Sequence, residues 1–112
     1  MSKLPNPHKA IIQLEKIKNY CLNPEHPVGK HKAIVFKRKL GITSADSIEL
    51  MNLLIDTVKN NDAIESFSDK FGKRFYIDLD IERLNYNATV RSIWIVRSDE
   101  DFPRFISCYV KN

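Results

Sequence analysis

The sequence predicts an α+β domain in which three N-terminal helices pack on a C-terminal antiparallel β-meander of three to four strands. Two observations predict it. Apolar residues recur at helical spacing in the first half of the chain, whereas apolar and polar residues alternate in the second half. A chain of 112 residues holds one domain, with a helical part at residues 1–61 and a part made mainly of strands at residues 62–112.

Three helices are expected after an extended N-terminal arm, since the prolines of Leu4-Pro5-Asn6-Pro7 exclude helix there. Their predicted spans are Gln13 to Leu22, His26-Pro27 to Leu40, and Thr43-Ser44 to Asn60-Asn61. Proline is favoured at the first helical position, which places the second start at His26-Pro27. Gly41 closes that helix, and the hydroxyls of Thr43-Ser44 cap the third.

Three strands are predicted in the second half, over Phe75–Ile81, Thr89–Arg97 and Arg104–Val110. The first alternates apolar and polar residues, and residues 98–101 form an acidic turn before the last. The middle strand leaves two registers open, because its even-numbered and odd-numbered apolar residues both qualify for the core. If the even-numbered set is buried, Arg91 and Arg97 lie on the open face of the sheet.

Composition excludes several classes of protein. With 43% hydrophobic and 29% charged residues the chain is not disordered, and no apolar run approaches the roughly 20 residues of a membrane helix. The N-terminus lacks the apolar stretch of a secretory signal, so a cytoplasmic protein is expected. Two cysteines are too few for a disulfide framework or a zinc site, and we expect neither metal nor cofactor.

Positive charge is concentrated in one segment. The net charge is +4, and no acidic residue lies between Glu25 and Asp46. That segment holds five basic residues, Lys30, Lys32, Lys37, Arg38 and Lys39. Such a patch attracts polyanions, nucleic acid above all, because neutralised phosphates release counterions. The other interpretation is a solvated helix face that keeps the domain soluble.

Several ordered motifs span nearly the whole chain. They are Lys3-Leu4-Pro5-Asn6, Tyr20-Cys21-Leu22-Asn23, residues 26–33 with the sequence HPVGKHKA, residues 71–76 with FGKRFY, Trp94-Ile95, and residues 101–109 with DFPRFISCY. Together they resemble a family of small bacterial domains found alone and at the C-termini of polymorphic or contact-dependent toxins. Two features depart from the pattern: Ser107 stands where threonine is usual, and the hairpin at residues 82–87 lacks the expected glycines.

The resemblance implies a function. Toxin-borne relatives are similar to the metal-independent ribonuclease superfamily of barnase, EndoU, some colicins and RelE, in which N-terminal helices precede an antiparallel sheet. The resemblance therefore implies a toxin-type endoribonuclease that cleaves RNA by 2′-OH attack, with a small antitoxin or immunity protein as partner. Such a partner would be acidic where it covers the basic patch. The alternative is a non-catalytic nucleic-acid-binding or protein-interaction domain of the same fold.

The candidate catalytic residues are His26, Lys32, Arg91, Ser107 and Tyr109. Metal-independent cleavage needs proton transfer and cations that stabilise the phosphorane. His26 would transfer protons, or else only cap a helix. Lys32 would bind phosphate, or else lay its stem over apolar surface with the ammonium in water. Ser107 and Tyr109 would position phosphate and Arg91 would stabilise charge, unless all three are ordinary sheet-surface residues.

The candidate RNA-binding residues are Lys30, His31, Lys37 and Arg104. His31 projects away from the buried side of the second helix, so it is a solvent-facing residue or a weak RNA contact. Arg104 has an alternative role as the ion-pair partner of a nearby aspartate. We expect RNA to lie in a basic groove between the second helix and the polar face of the sheet.

Overall fold

The structure, a computed structural model, describes residues 3–111. Within them a helical layer packs on one face of a four-stranded antiparallel sheet. The helices are α1 (Leu14–Lys16), α2 (Lys30–Leu40) and α3 (Ser47–Asn60). α1 continues directly into one π turn at Ile17–Cys21, and 3-10 turns lie at Pro7–Lys9 and Ser44–Asp46. The strands are β1, Ile64–Asp69; β2, Gly72–Arg83; β3, Tyr86–Arg97; and β4, Pro103–Val110. No helix of residues 3–111 is long and apolar enough to cross a bilayer.

The register of the sheet determines which face of β3 is buried. The strands pair in chain order, β1-β2-β3-β4. Val90 and Trp94 are fully buried under the helices, whereas Ile93 is only partly buried. The even-numbered side of β3 therefore faces the core. Arg91 and Arg97 lie on the opposite, open face, because side chains alternate along a strand.

Trp94 lies at the centre of the core. Its ring meets Phe105 edge to face, with 5.5 Å between the ring centroids. Its indole N–H donates to the Ser92 hydroxyl at 2.9 Å, and that hydroxyl donates to the Ile77 carbonyl at 2.7 Å. Every polar group that this tryptophan brings into the core is thus paired. The same arrangement makes Trp94 a core residue and leaves it inaccessible to a nucleobase.

The predicted architecture of three N-terminal helices on an antiparallel meander is wrong at the N-terminus. Instead of a helix over residues 13–22, the chain forms one α turn and one π turn. The arm before it joins the edge of the sheet, where Ile11 pairs in parallel with Arg104. Because the backbone of Ile11 is held by hydrogen bonds to Pro103 and Phe105, helical structure begins only after it. Pro24 then limits its length.

The second helix begins at Lys30, three residues after the predicted start at Pro27. Residues 27–29 form a turn instead. The side chain of His26 accepts hydrogen bonds from the amides of Val28 and Gly29, which holds these residues in the turn that leads into α2. The predicted end is observed, since Gly41 follows Leu40 with φ of 64°, a left-handed conformation that glycine adopts at low cost.

The prediction of three to four strands allowed for a fourth strand but did not locate it, and that strand is β1. All six residues of β1 are exposed, so the strand has no alternation that its sequence could reveal. β1 is an edge strand that extends the sheet through its pairing with β2. At the other end of β2, the turn that leads into β3 replaces the expected glycines with Leu84, whose φ is 57°. A leucine in this region costs about 1–2 kcal/mol, so this turn is held by the pairing of its two strands.

The π turn and the start of α2 touch backbone to backbone. A Cβ atom built on Gly29 would lie 2.2 Å from the carbonyl oxygen of Tyr20. Carbon atoms do not approach oxygen so closely, so only glycine allows this crossing. Gly29 therefore sets how near α2 lies to Tyr20.

We expect Gly29→Ala to lower the free energy of unfolding by about 1–3 kcal/mol, since the two backbones would have to separate. Urea-induced unfolding measures this change. Lys30→Ala, at the next and exposed residue, is the control and should change the free energy by less than about 0.5 kcal/mol. A Gly29→Ala protein as stable as the wild type would contradict the importance of the crossing.

Candidate functional site

The ammonium group of Lys32 lies where the π turn, α2 and β4 meet. Its Nζ is 3.0 Å from the hydroxyl of Tyr20 and 3.0 Å from the hydroxyl of Ser107. The Nζ also lies 4.7 Å from the centroid of the Tyr20 ring. None of the ion pairs formed among residues 3–111 includes Lys32. We call Lys32, Tyr20 and Ser107 the Lys32 cluster, a part-buried cation held by two neutral hydroxyls.

The hydrogen-bonding capacity of the Lys32 cluster is not used up. Lysine has only donors, so the oxygens of Tyr20 and Ser107 both accept from it. The third N–H of Lys32 and the O–H of Tyr20 therefore remain to donate to another atom. Two adjacent donors, one of them charged, suit an oxygen of an anion such as a phosphate.

Two buried free thiols lie behind Ser107. The Sγ of Cys21 is 3.6 Å from the Ser107 hydroxyl. A hydrogen bond from Cys108, helped by Ser107 and by the charge of Lys32, outweighs burial and lowers the pKa of Cys21 to about 6. The same hydrogen bond, together with burial, raises the pKa of Cys108. The opposite directions of the two pKa shifts make Cys21 the more acidic of the two thiols, and Ser107 lies in contact with both Cys21 and Lys32.

His26 lies next to the Lys32 cluster and caps the turn before α2. Its ring meets the Tyr20 ring edge to face, with 4.9 Å between the centroids. Its Nδ1 accepts from the amides of Val28 at 3.0 Å and Gly29 at 2.9 Å. An atom that accepts two hydrogen bonds carries no proton, so in the neutral ring the proton is on Nε2. The arrangement allows His26 to donate a hydrogen bond from Nε2.

A second group of charged residues lies on the open face of the sheet. Arg91 forms two hydrogen bonds to Asp78, at 2.9 and 3.1 Å, and stacks on the ring of Tyr76 at 3.9 Å from the centroid. The contact with Arg91, joined by Lys111, lowers the pKa of Asp78, and Asp78 raises the pKa of Arg91. The guanidinium is therefore already neutralised, unlike the ammonium of Lys32.

β4 connects the two groups. Tyr109 pairs with Arg91 on the open face of the sheet. Ser107 pairs with Ile93, next to an irregularity in the strand, and its hydroxyl contacts Lys32 and Cys21. A bulge between these pairs and the next leaves Ile106 without a partner. Of the candidate catalytic residues, Lys32 and Ser107 are in contact, His26 adjoins them through Tyr20, and Tyr109 with Arg91 lies further along the strand.

The candidate RNA-binding residues do not share this surface. Lys30, His31 and Lys37 are exposed on α2, but Lys30 and Lys37 emerge on the flank opposite Lys32, given 3.6 residues per helical turn. Arg104 forms two hydrogen bonds to Glu100, at 2.8 and 2.7 Å, which raises the pKa of Arg104. The alternative role of Arg104, in an ion pair, is therefore the one observed, although its partner is a glutamate.

An apolar groove runs along that other flank of α2. Its volume is about 620 Å³. Leu22, Pro24 and Ile34 supply apolar surface, and Lys37 and Arg38 supply charge. The side chain of Ile34 is 49% exposed although it is a large aliphatic group. We call this surface the α2 groove, and it is separate from the Lys32 cluster.

Sequence reasoning missed Tyr20 and Cys21 as site residues. Both lie in the motif Tyr20-Cys21-Leu22-Asn23, but neither has a chemical partner nearby in sequence. Ser107 lies 86 positions from Cys21, and Lys32 lies 12 positions from Tyr20. The family motif could have indicated Tyr20, because a tyrosine within a motif shared with a family is a candidate for hydrogen bonding to substrate.

Comparisons with known proteins agree with this fold. The family model described as Domain of unknown function (DUF6883) matches residues 3–112. A chain of the contact-dependent growth inhibition toxin–immunity protein complex from Klebsiella pneumoniae 342 superposes with a TM-score of 0.66. The superposition covers 90% of this chain and 99% of that one, at 14% identity, and it shows a shared fold. No curated protein matches the sequence significantly.

The lowered pKa of Cys21 predicts a thiolate near neutral pH. Thiolate absorbance in the ultraviolet should disappear with a midpoint near pH 6 in the wild type. A lowered pKa stabilises the fold only when the thiol is ionised. The contribution of Cys21 to the free energy of unfolding is therefore complete above pH 9, near the pKa of the thiol in the unfolded chain, and is lost as the pH falls to about 6. Cys108→Ala should raise the midpoint, since the main hydrogen bond is lost.

Cys21→Ser is the control for this titration, because it removes the thiolate signal and leaves Cys108 in place. A midpoint in the wild type at the ordinary value of a free thiol would contradict the assignment.

Proposed function

The chain belongs to the DUF6883 family, a domain of unknown function, and from that premise we propose that it is a toxin-type, metal-independent endoribonuclease. The similar fold of a chain from a toxin–immunity protein complex supports the toxin part of the proposal. The ribonuclease part rests on the motifs described above and on the chemistry of the Lys32 cluster. Such an enzyme would act in the cytoplasm, where its RNA substrate is.

One observation carries the proposal, namely a cation with free donors. Lys32 is held by the hydroxyls of Tyr20 and Ser107 and takes part in no ion pair of residues 3–111. The arginines that the sequence offered, Arg91 and Arg104, are bound to carboxylates. Lys32 can thus bind a phosphate without first losing a carboxylate partner, whereas Arg91 and Arg104 cannot.

In the proposed reaction the RNA 2′-oxygen attacks the adjacent phosphorus and the bond to the 5′-oxygen breaks. The products are a 2′,3′-cyclic phosphate and a 5′-hydroxyl, which takes up the proton that the 2′-hydroxyl loses. Lys32 and the O–H of Tyr20 would donate to the phosphorane oxygens, where negative charge develops. Ser107 holds Lys32 in place, and Tyr109, with Arg91 beside it, would position the neighbouring phosphate.

His26 has a narrower role in this proposal than in the sequence-based one. Its Nε2–H can donate to a phosphate oxygen or towards the leaving 5′-oxygen. To accept a proton at Nε2, the ring would first need its proton on Nδ1, which would release the amides of Val28 and Gly29. The geometry therefore favours hydrogen-bond donation over general-base catalysis.

The second candidate function is a nucleic-acid-binding or protein-interaction domain without catalysis. The occupied Nδ1 of His26 and the paired guanidinium of Arg91 favour it, because a binding domain needs neither a free base nor a free arginine. Both functions use the Lys32 cluster to bind an anion. Only the first predicts a cleaved product.

We expect Lys32→Met to reduce RNA cleavage by at least about 100-fold, because one donor to the developing charge is removed. Purified protein would be incubated with total RNA, and the products would be tested for 2′,3′-cyclic phosphate ends. Lys30→Met, on the opposite flank of α2, is the matched control and should remain active. Wild-type protein that binds RNA and leaves it intact would favour the second candidate function.

His26→Asn separates the two roles of His26. The asparagine oxygen can accept from the amides of Val28 and Gly29, so stability should stay near that of the wild type. Cleavage and toxicity on induced expression should be lost, because Nε2 is removed. His26→Ala should lose stability as well. Full activity of His26→Asn would show that His26 only caps the turn.

We also propose a small acidic protein as the partner that inhibits this chain. The similar chain comes from a complex of a toxin with its immunity protein. The α2 groove offers the matching surface, with an exposed Ile34 between the cations Lys37 and Arg38. An apolar side chain flanked by carboxylates on the partner would fit it.

Ile34→Asp should weaken binding of the inhibitory partner at least about tenfold, because it removes the apolar anchor and adds a like charge. The protein to test as this partner is the product of an open reading frame next to the gene of this chain. Titration calorimetry measures this change. Ile48→Asp is the control, since Ile48 is 60% exposed but lies on α3. Equal binding by both variants would place the partner on another surface.

A further inference from the structure

A phenylalanine at the tip of the β1–β2 hairpin is exposed and lies outside the hydrophobic core. The side chain of Phe71 is 61% exposed, in the turn between the two strands. The ammonium of Lys70 lies 5.2 Å from the centroid of its ring. An aromatic ring that faces water beside a cation is a common arrangement where proteins stack unpaired nucleobases.

Phe71 forms one wall of a cavity of about 570 Å³. This volume lies within the range of small-molecule sites. Ile95 and Ile106 complete the apolar wall. The charged lining consists of three cations, Lys16, Lys70 and Arg97, and one carboxylate, Asp99. A cavity with a flat aromatic wall and a positive rim suits a ligand that has both a ring and a phosphate.

The cavity and the Lys32 cluster use consecutive residues of β4. Ile106, which lines the cavity, directly precedes Ser107 on β4. Lys16 also lines it, and its Nζ lies 3.4 Å from the carbonyl of Phe105 on the same strand. The positive lining therefore follows β4 from Ser107 towards the hairpin tip. A chain of nucleotides with one phosphate at Lys32 would enter the cavity along this path.

We propose that this cavity binds a nucleotide that flanks the scissile phosphate of single-stranded RNA, with its base stacked on Phe71. Lys16, Lys70 and Arg97 bind the phosphates on either side of that base. The strand must be single, because paired bases are stacked on one another and do not expose a face. The proposal rests on the proposed function and extends it, since it assigns the substrate a path beyond the Lys32 cluster.

The experiment measures binding without cleavage. Phe71→Trp places a fluorescent ring at the stacking position, and Leu84→Trp, at a residue 83% exposed in the β2–β3 turn, is the matched control. The probe is a short oligouridylate with 2′-O-methyl sugars, which cannot undergo 2′-oxygen attack. We expect this probe to quench the Phe71→Trp signal and leave the Leu84→Trp signal unchanged. Equal quenching of both, or of neither, would overturn the proposal.

Phe71→Ala provides the second measurement. We expect it to weaken binding of the same probe by about 5- to 100-fold, the usual effect of removing one stacking partner. Leu84→Ala should bind like the wild type. Unchanged probe binding by Phe71→Ala would overturn the proposal.

Failure of the stacking site and failure of the proposed ribonuclease give different results. If the cavity binds the base but the protein does not cleave RNA, Phe71→Trp is quenched while natural RNA stays intact. If the protein cleaves RNA but the cavity binds no base, Phe71→Ala binds the probe and cleaves RNA as the wild type does. The first result supports the stacking site, and the second overturns it.

Discussion

The backbone contact between Gly29 and Tyr20 determines how the helical layer meets the sheet. With no side chain at Gly29, α2 approaches the π turn closely enough for Lys32 to reach both Tyr20 and Ser107. His26 holds the amide of Gly29 in the same turn and packs its ring on Tyr20. One small residue therefore fixes the positions of a cation, a phenol and an imidazole that come from separate parts of the chain.

The part-buried cations of this protein differ in the kind of partner that holds them. Arg83, Arg91 and Arg104 each form short ion pairs with carboxylates of other residues. Their positive charge is therefore neutralised within the fold. The ammonium of Lys32 has hydroxyl partners instead, and the thiol of Cys21 lies 3.6 Å from one of them, the hydroxyl of Ser107. A hydroxyl orients a cation without cancelling its charge, so Lys32 keeps its attraction for an external anion.

Sequence patterns predicted those parts of the fold in which burial is periodic. β2 alternates buried and open residues, and the end of α2 at Gly41 follows from local conformation. β1 was not located because all of its residues are exposed. The first helix was overestimated because the pairing of Ile11 with Arg104, distant in sequence, competes with it. Local patterns carry no information on such pairings.

The candidate site was predictable only where the spacing of residues along a helix or strand indicates the direction of a side chain. A lysine on the flank of α2 and a hydroxyl on β4 could be proposed to meet, and they are in contact. The tautomer of His26 and the pairing of Arg91 with Asp78 depend on distances that no spacing rule supplies. Tyr20 lacks any chemical signal in its own neighbourhood, so its place beside Lys32 emerged only from the packing of the π turn.

The position of Ser107 in the last strand has a consequence for the order of folding. Lys32 and Ser107 are 75 positions apart, and β4 is the final strand of the meander. A folding intermediate in which β4 has not yet paired has Lys32 but no Ser107 to orient it, and the arm at Ile11 has no strand to join. The arrangement around Lys32 therefore forms only once β4 has paired with β3, and a partly folded chain lacks it.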